Sequence, residues 1–243
     1  SGLVQLKMRH RYLRHEALAD GVMVTVEHEG RVLQQPGSFL LACDGGRSPV
    51  RELHGIKMSG RKYPDQWLVI DIKCPSTPRH LPYFNYYCDP KRPHLNCPQP
   101  NGHHRFEFML LPGETKEQME SPETVRRLIS KFVNPDEVEI IRALVYSFNG
   151  LVAERWREGR VLLCGDAAHM NPQFFGQGMN SGMRDASNLA WKLIQVLKGH
   201  ASPKLLDSYQ RERLAHYQKM LKISVQLGHI VSLRNPLAVW TRN

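Results

Sequence analysis

The chain has 243 residues, of which 41% are hydrophobic and 23% charged, so it is long enough for one large domain or two small ones. No apolar run approaches the roughly eighteen residues of a membrane helix, and the first fifteen residues lack the apolar core of a signal peptide. The formal net charge is +10, but no segment alternates basic with aromatic residues. The sequence therefore predicts a cytoplasmic protein with no membrane and no nucleic-acid partner, whose basic surface suits anionic small molecules.

The cysteines are odd in number and far apart in the sequence. They are Cys43, Cys74, Cys88, Cys97 and Cys164. This distribution argues against a disulfide framework and favours a reducing cytoplasm. Histidines lie among the middle three cysteines, but no closely spaced pair of the kind that binds structural zinc occurs there. The sequence predicts no metal site.

The first half of the chain has the character of a sheet. Apolar, β-branched runs at 22–26 and 31–43 predict strands, and the continuous apolar run 39–43 predicts a strand that is buried on both faces. Further strands are expected at 67–74 and 104–114. The proline-rich stretch between these two favours an edge strand with turns.

Helices dominate the second half. Ser121 and Pro122 provide an N-cap and a first helical residue for a helix over 121–133, and 137–150 returns to strand character. A long helix is expected from about 178 to Gly199, with apolar residues at helical spacing. These are Met183, Ala186, Leu189, Ala190, Leu193, Ile194 and Leu197. Another helix begins after Pro203, and the order of elements predicts an α/β (α+β) fold with a sheet-rich insertion.

The first candidate site follows the buried strand 39–43, in the sequence "DGGRSPVR" (44–51). Ligands of open α/β sheets bind at the carboxyl ends of strands. The glycines, including Gly45, allow close approach of backbone to a ligand, and Arg47 and Arg51 are suited to phosphate oxygens. A plain β-turn in which Asp44 bonds its own backbone is the alternative interpretation.

The second candidate site follows another short apolar strand, 161–164. Asp166 comes at the end of this strand, and its carboxylate is suited to accept from two neighbouring hydroxyls. The loop 170–178 then leads to a helix whose first N–H groups favour negative charge. Gly176 and Gly178 leave room for a planar ligand against the backbone.

Other interpretations of this second site are weaker. Residues 176–182 have the spacing G-x-G-x-x-x-G, and the preceding strand ends too early for a dinucleotide phosphate loop. Ser181 lacks the G-x-S-x-G context of a hydrolase nucleophile. A structural loop in which His169 is a satisfied polar residue remains an alternative, and that is the role expected for His169.

The two segments together resemble a known family. "LLACDGGRSPVR" and "GRVLLCGDAAHMNPQFFGQGMNSGMRDASNLAWKL" resemble the Asp-Gly and Gly-Asp motifs of the flavin-dependent aromatic hydroxylases, the class A flavoprotein monooxygenases. "LLDSYQRERLAH" is similar to the helix that follows in this family. "WLVIDI", "FEFMLLPGE" and "VAERWREGRV" further resemble the branch that contains 3-(3-hydroxyphenyl)propionate hydroxylase. The resemblance covers nearly the whole chain, and the two motifs in this order are more specific than either alone.

The resemblance implies an FAD-binding domain of the aromatic-hydroxylase type with an inserted β-sheet domain for the substrate. The implied segments are 1–56 with the Asp-Gly motif, 57–150 as the substrate-binding domain, 151–200 with the Gly-Asp motif, and 201–243 as C-terminal helices. The family begins with a βαβ unit carrying G-x-G-x-x-G, and no segment here matches it. The chain is therefore expected to be a fragment that lacks this first unit.

The resemblance also implies the cofactor site, with FAD as cofactor. Residues expected at the FAD pyrophosphate and at the entry of NADH or NADPH are Asp44, Gly45, Arg47 and Arg51. Residues expected at the ribityl chain and flavin ring are Gly165, Asp166, Ala167, Gly176, Gln177, Gly178, Met179 and Asn180. Pro172, together with Gly176, is expected in the catalytic loop beside the ring where O₂ reacts. A helix N-terminus at the ring agrees with the negative charge of reduced flavin.

The implied reaction is hydroxylation of a phenolic, carboxylate-bearing ring. NADH or NADPH reduces FAD, and O₂ then forms a flavin C4a-hydroperoxide that transfers oxygen to the small aromatic substrate. Two alternatives stay open, namely another aromatic or polyketide substrate and a truncated, non-catalytic remnant that does not hold FAD. A homodimer is compatible with either. Aromatic residues of the inserted domain are expected either to line a substrate pocket or to form its core. They are Trp67, Tyr83, Phe84, Tyr86, Phe106 and Phe108.

Overall fold

The computed structural model describes residues 3–75, 78, 80–172, 174–235, 237 and 239–240. The chain divides into two units, each with its own core. The first unit consists of Ser1–Arg61, Gly150–Asn171 and Gly176–Leu221. The second unit consists of Lys62–Asn149, Pro172–Phe175 and Lys222–Asn243. The domain boundaries expected from the sequence stay a prediction.

Strands and helices follow one another in the order that the sequence predicts. The strands are β1 (Arg11–Leu18), β2 (Gly21–His28), β3 (Arg31–Gly37), β4 (Leu40–Ala42), β5 (Met58–Lys73), β6 (Asn85–Tyr87), β7 (His94–Pro98), β8 (His103–Met109), β9 (Glu139–Ala153), β10 (Arg157–Glu158), β11 (Val161–Leu163) and β12 (His169–Met170). The helices are α1 (Pro49–Leu53), α2 (Lys116–Met119), α3 (Pro122–Ile129), α4 (Gln177–Leu197) and α5 (Ser208–Val231). The α/β (α+β) class is confirmed.

The first unit contains two three-stranded sheets. One is the antiparallel meander β1-β2-β3, and the other has the order β10-β11-β4, with β11 and β4 parallel. The strand predicted at 39–43 is present as β4, but the prediction that both its faces are buried is wrong, because Leu41 is 43% exposed. Leu41 borders a cavity, which explains why an apolar residue is not covered at this position.

Two aromatic residues fix the core of the first unit. Trp156 and Tyr209 are fully buried and pack edge to face, with ring centroids 5.4 Å apart. Their polar atoms are satisfied by backbone carbonyls, since Trp156 Nε1 donates to Ala153 O (3.2 Å) and the Tyr209 hydroxyl donates to Leu163 O (3.1 Å). The hydroxyl of Tyr209 thereby ties helix α5 to the last residue of strand β11.

The second unit is built on a sheet with the strand order β9-β5-β8-β7-β6. Alternate residues of β5 and β8, such as Ile70 and Phe106, are fully buried and form a core with the apolar face of α3. Helix α3 begins as predicted, because the Ser121 hydroxyl accepts from Thr124 N and proline occupies the first turn. Of the six aromatic residues expected in a pocket or core, Trp67, Phe106 and Phe108 are buried, whereas Tyr83 and Phe84 are exposed.

A second cluster in this unit forms around Phe174. Its ring packs edge to face on Trp67 and Phe148, with centroid distances of 5.5 and 5.1 Å. The same ring lies against Gly228 of helix α5, where an added Cβ would be 2.6 Å from Phe174 Cδ2. A glycine inside a helix is unfavourable by about 1 kcal/mol relative to alanine. The ring of Phe174 explains its presence, because it occupies the volume that a side chain would need.

Replacement of Gly228 by alanine is expected to destabilise the second unit by about 1–2 kcal/mol, because the clash with Phe174 outweighs the gain in helix propensity. Urea denaturation gives the measurement. In a Phe174→Ala background the same substitution is expected to stabilise by about 0.5–1 kcal/mol, since only the propensity term remains. An equal effect of Gly228→Ala in both backgrounds would contradict this explanation.

Candidate cofactor site

A cavity of about 620 Å³ in the first unit brings the two sequence motifs together. This volume is in the usual range for small-molecule sites. The Asp-Gly segment contributes Cys43 and Gly45, and the Gly-Asp segment contributes Cys164, Gly165 and Asp166. The remaining lining residues are Leu41 and residues of α4, namely Gly178, Met179, Gly182, Ala186, Leu189, Ala190 and Leu193.

The convergence of the motifs follows from the pairing of β4 with β11. The strands are parallel, with Ala42 opposite Leu163, and Cys164 N donates to Ala42 O at 2.9 Å. Parallel strands end at the same edge of a sheet, so the two loops that follow them lie side by side. The apolar residues of α4 that were noted in the sequence, including Leu189 and Leu193, face this cavity in part.

Arg51 joins the two loops directly. Its guanidinium is buried and donates from Nη1 to Ala167 O (3.0 Å) and from Nη2 to Gly46 O (2.7 Å). A Cβ on Gly46 would meet Met170 Sδ at 2.3 Å, which is another close approach between the loops. Arg51 therefore has a structural role that the sequence did not indicate, while Arg47 is exposed. Their contact with a phosphate group stays a prediction.

Asp44 takes part in the start of helix α1. Its Oδ2 accepts from Val50 N at 3.2 Å, and the Ser48 hydroxyl accepts from Arg51 N at 2.9 Å. Ser48 N also closes a turn onto Gly45 O at 3.0 Å. Asp44 therefore bonds the backbone of its own segment, as the alternative interpretation of a polar turn expected. The turn borders the same cavity through Gly45.

Asp166 lies on a 3₁₀ turn, Gly165–Ala167, and lines the cavity. Its carboxylate is exposed and makes no hydrogen bond to any residue that the structure describes. The surrounding walls desolvate it and raise its pKa above the usual range, and His169 acts in the opposite direction. A carboxylate that lines a cavity without a hydrogen-bond partner among the described residues is available to accept from a ligand with hydroxyl groups.

Asp185 holds the turn that carries Asp166. It is fully buried, and its two oxygens accept from Gly165 N (3.1 Å), His169 Nε2 (2.6 Å) and Arg213 Nε (2.8 Å). Burial by itself raises the pKa of Asp185, but the hydrogen bonds and charges of His169 and Arg213 outweigh it and bring the pKa below its usual range. His169 is thus buried and bonded through Nε2, while its Nδ1 has no hydrogen-bond partner among the residues that the structure describes, so the satisfied role expected for it is met at one ring nitrogen. Asp185 and Arg213 were not identified from the sequence.

Helix α4 begins at Gln177, one residue before the predicted range, and continues to Leu197 as expected. Its N-cap, Gly176, has φ +58° and supplies no side-chain acceptor. A Cβ on Gly178 would meet no atom within 4 Å, so open space borders the first turn. Met179 is 76% exposed, and Asn180 Nδ2 donates back to Gly176 O at 3.3 Å.

Buried polar atoms near this helix lack partners. Neither Nδ2 nor Oδ1 of Asn171 has a hydrogen-bond partner within the described ranges, and the same is true of Ser181 Oγ. Native proteins rarely leave such atoms unpaired, and a bound ligand or water is the usual explanation. The carboxylate of Asp166 and the open space beside Gly178 border one cavity, and they fit a ligand that carries hydroxyl groups.

The structure places Pro172 in the second unit and Gly176 in the first. Pro172 is buried and lines a small cavity with residues that include Phe148, Phe174 and Gly228. Gln173, the next residue of this loop, lies outside the described residues. The catalytic role expected for Pro172 and Gly176 stays a prediction.

The part of the chain that the structure describes lacks two further classes of site, a metal centre and a membrane-spanning helix. It contains no group of three or more His, Cys, Asp or Glu side chains placed to hold a metal ion. None of its helices combines the length and the apolar character needed to cross a membrane.

Comparison with protein families decides what kind of domain this is. The profile of the family described as "FAD binding domain" matches residues 1–224. The chain belongs to this family. Its resemblance to the flavin-dependent aromatic hydroxylases is confirmed, as is the FAD-binding fold that the resemblance implies.

Relatives of this FAD-binding chain carry the name 3-(3-hydroxy-phenyl)propionate/3-hydroxycinnamic acid hydroxylase. One from Klebsiella pneumoniae subsp. pneumoniae is 50% identical over 195 residues, which are 80% of this chain and 35% of the relative. One from Escherichia coli O139:H28 is 47% identical over 205 residues, 84% of this chain and 37% of the relative. The chain thus spans little more than one third of the length of these relatives.

Solved structures with the same fold include two further hydroxylases. Aklavinone-11 hydroxylase in complex with FAD and aklavinone aligns with a TM-score of 0.82 and 26% identity, over 94% of this chain and 45% of that one. OxyS anhydrotetracycline hydroxylase from Streptomyces rimosus aligns with a TM-score of 0.78 and 28% identity, over 99% of this chain and 48% of that one.

Proposed function

We propose that this chain is the part of an FAD- and NAD(P)H-dependent aromatic hydroxylase that holds the ribityl chain and the flavin ring. One observation carries the proposal. The exposed carboxylate of Asp166 and the glycine-rich first turn of α4 line one cavity at the carboxyl ends of two parallel strands. The family to which the chain belongs supports FAD as the ligand.

In this proposal each group at the cavity has a separate task. Asp166 accepts from ribityl hydroxyls, and Asp185 positions Asp166 through the amide of Gly165. The first N–H groups of α4 stabilise negative charge on the ring, because they lie at the positive end of the helix dipole. Asn171, whose buried amide lacks a partner among the described residues, supplies a donor and an acceptor for polar edges of the cofactor.

The reaction proposed for the whole enzyme is hydroxylation of a phenol that carries a carboxylate. Bound FAD supplies the chemistry, since it takes electrons from NADH or NADPH and activates O₂. The two relatives at 47% and 50% identity support a phenolic acid as substrate, because both acids in their name have a phenol and a carboxylate. Residues 57–150, which contain the sheet of the second unit, are proposed as the substrate-binding domain.

A polyketide substrate is the second candidate. It is supported by the likeness to aklavinone-11 hydroxylase, at 26% identity. The greater identity to the phenolic-acid hydroxylases favours the first candidate.

Replacement of Asp166 by alanine is expected to weaken FAD binding about 10- to 100-fold, because charge-assisted hydrogen bonds contribute about 1.5–3 kcal/mol. The measurement is titration of the purified chain with FAD, followed by flavin fluorescence. Asp166→Asn, which keeps an acceptor but removes the charge, is expected to lie between the wild type and the alanine variant.

Asp20→Ala removes a fully exposed carboxylate of the same unit and serves as the control, with unchanged affinity. Equal affinity of wild type and Asp166→Ala would remove Asp166 from the site. A wild-type chain that does not bind added FAD at all would favour the non-catalytic remnant instead.

A further inference from the structure

Cys43 and Cys164 lie opposite each other at the ends of β4 and β11. The register pairs Leu40 with Val161 and Ala42 with Leu163, so the next pair along the two strands is Cys43 and Cys164. Paired residues on neighbouring strands are about 4.8 Å apart. This is within the Cα separation of about 4.4–6.8 Å that a disulfide requires.

Both thiols face the same space. Paired residues of parallel strands project to the same side of the sheet, and both cysteines line the cavity between the two loops. Cys43 is exposed, whereas Cys164 is buried with 7% exposure, and neither is in a disulfide. An oxidant that enters the cavity therefore reaches the exposed Cys43, and Cys164 lines the same cavity.

The environment makes the two thiols unequal. A hydrogen bond with Cys164 lowers the pKa of Cys43 to about 7, against the opposing effects of burial and of the carboxylates Asp44 and Asp185. The same hydrogen bond and burial raise the pKa of Cys164. Near neutral pH a large fraction of Cys43 is therefore thiolate, which is the nucleophilic form, while Cys164 keeps its proton.

We propose that Cys43 and Cys164 form a peroxide-reactive dithiol that closes reversibly to a disulfide. The Cys43 thiolate attacks hydrogen peroxide, which breaks the O–O bond and gives a sulfenic acid and hydroxide. The sulfur of Cys164 then attacks the sulfenic sulfur and displaces hydroxide, which leaves as water with the thiol proton. Two thiols and one hydrogen peroxide thus give one disulfide and two waters, and an external dithiol reduces the disulfide to two thiols while it is itself oxidised to a disulfide.

The reaction needs only the two thiols and the oxidant, but both thiols line the cavity proposed for the cofactor, so the proposal concerns the chain without bound FAD. The position of the thiols also has a consequence for the loops. A disulfide between Cys43 and Cys164 joins the Asp-Gly segment covalently to the Gly-Asp segment, beside the contacts that Arg51 already makes. Oxidation would therefore hold these two segments in one arrangement at the cavity.

Peptide mapping of the purified chain tests the proposal. After treatment with hydrogen peroxide and blocking of free thiols, trypsin digestion without reductant is expected to give peptide 32–47 linked to peptide 161–184. The mass of the linked pair is the sum of both peptides less two hydrogens, and dithiothreitol separates them. In Cys164→Ser the link is absent and dimedone captures the sulfenic acid on Cys43. Cys74→Ser, which removes a buried thiol elsewhere, is expected to form the link as the wild type does.

Two results would overturn the proposal. Overoxidation of Cys43 in the wild type without a linked peptide would show that the two sulfurs do not meet. Unmodified thiols at both positions would show that Cys43 is not reactive. Alkylation of wild-type Cys43 by iodoacetamide needs no variant, and its rate is expected to reach half its maximum near pH 7. A half-maximum at pH 8.5 or above would contradict the hydrogen bond between the thiols.

Discussion

Replacement of Asp185 by alanine is expected to lower the free energy of unfolding of the first unit by about 3–5 kcal/mol. The substitution leaves the guanidinium of Arg213, which is 6% exposed, without its carboxylate, and it removes the acceptor of Gly165 N. Breaking a buried ion pair on one side is costly because the remaining charge stays desolvated. Urea denaturation followed by tryptophan fluorescence measures the change, since Trp156 packs on His169 with a centroid distance of 5.0 Å.

Two comparisons separate this effect from a general loss of charge. Asp20→Ala, at a fully exposed carboxylate of the same unit, is expected to leave the urea midpoint unchanged. The pKa of Asp185 is lower in the folded protein, so its contribution to stability is present above the unfolded pKa of about 4 and is lost as the pH falls through the folded value. Wild type and variant should therefore converge in strong acid. A difference of less than about 1 kcal/mol at neutral pH would refute the buried network as a source of stability.

Replacement of Arg51 by alanine is expected to destabilise the first unit by about 2–4 kcal/mol, since hydrogen bonds to charged groups contribute about 1.5–3 kcal/mol each and are not additive. The substitution removes the donors of Ala167 O and Gly46 O and leaves a gap between the two loops. Urea denaturation gives the free energy. The slowing of amide exchange in residues 44–51 and 165–170 is expected to be lost in parallel.

Arg51→Lys distinguishes the contribution of the charge from that of the guanidinium geometry. A lysine keeps the charge, but its single ammonium does not have the fork geometry that reaches both carbonyls. It is therefore expected to recover less than half of the loss. Arg47→Ala, at an exposed arginine in the same turn, should change stability by less than about 0.5 kcal/mol. Full recovery by lysine would show that charge, and not the fork, is what matters at position 51.

Many of the helices and strands could be predicted from the sequence, because capping residues and apolar runs determine them locally. Ser121 and Pro122 define the start of α3, and the apolar runs at 39–43 and 161–164 give β4 and β11. Each motif was expected directly after a buried strand, at the carboxyl end where ligands of open α/β sheets bind. The cavity that both motifs line agrees with this prediction.

The sequence did not predict which face of α4 is buried. The helix buries Ser181, Asp185 and Lys192 together with Leu189, whereas Met183 and Ile194 are exposed. An apolar pattern predicts the opposite arrangement, since it assigns charged residues to solvent. Charges on the buried face have partners in α5, because Asp185 pairs with Arg213 and Lys192 Nζ with Glu212 Oε2 at 2.7 Å. The spacing 181, 185, 189, 192 is helical, but only the neighbouring helix explains it.

The sequence also does not predict which residues lie opposite each other on neighbouring strands. Cys43 and Cys164 are far apart in the sequence, and their separation indicated isolated thiols. The pairing of β4 with β11 brings them together, and a shift of one residue would turn one side chain to the other face. Register depends on the packing of the whole sheet, so spacing along the chain does not contain it.

The fit between Phe174 and Gly228 also limits how this chain can change through descent. A side chain at position 228 is disfavoured while residue 174 keeps its ring, because the ring occupies the space that a Cβ needs. Substitutions at the two sites are therefore coupled, and loss of the ring at position 174 before a gain of side chain at position 228 is the more favourable order. In an alignment of related sequences, this coupling would appear as covariation. A large residue at position 174 would accompany glycine at position 228, and a side chain at position 228 would accompany a small residue at position 174.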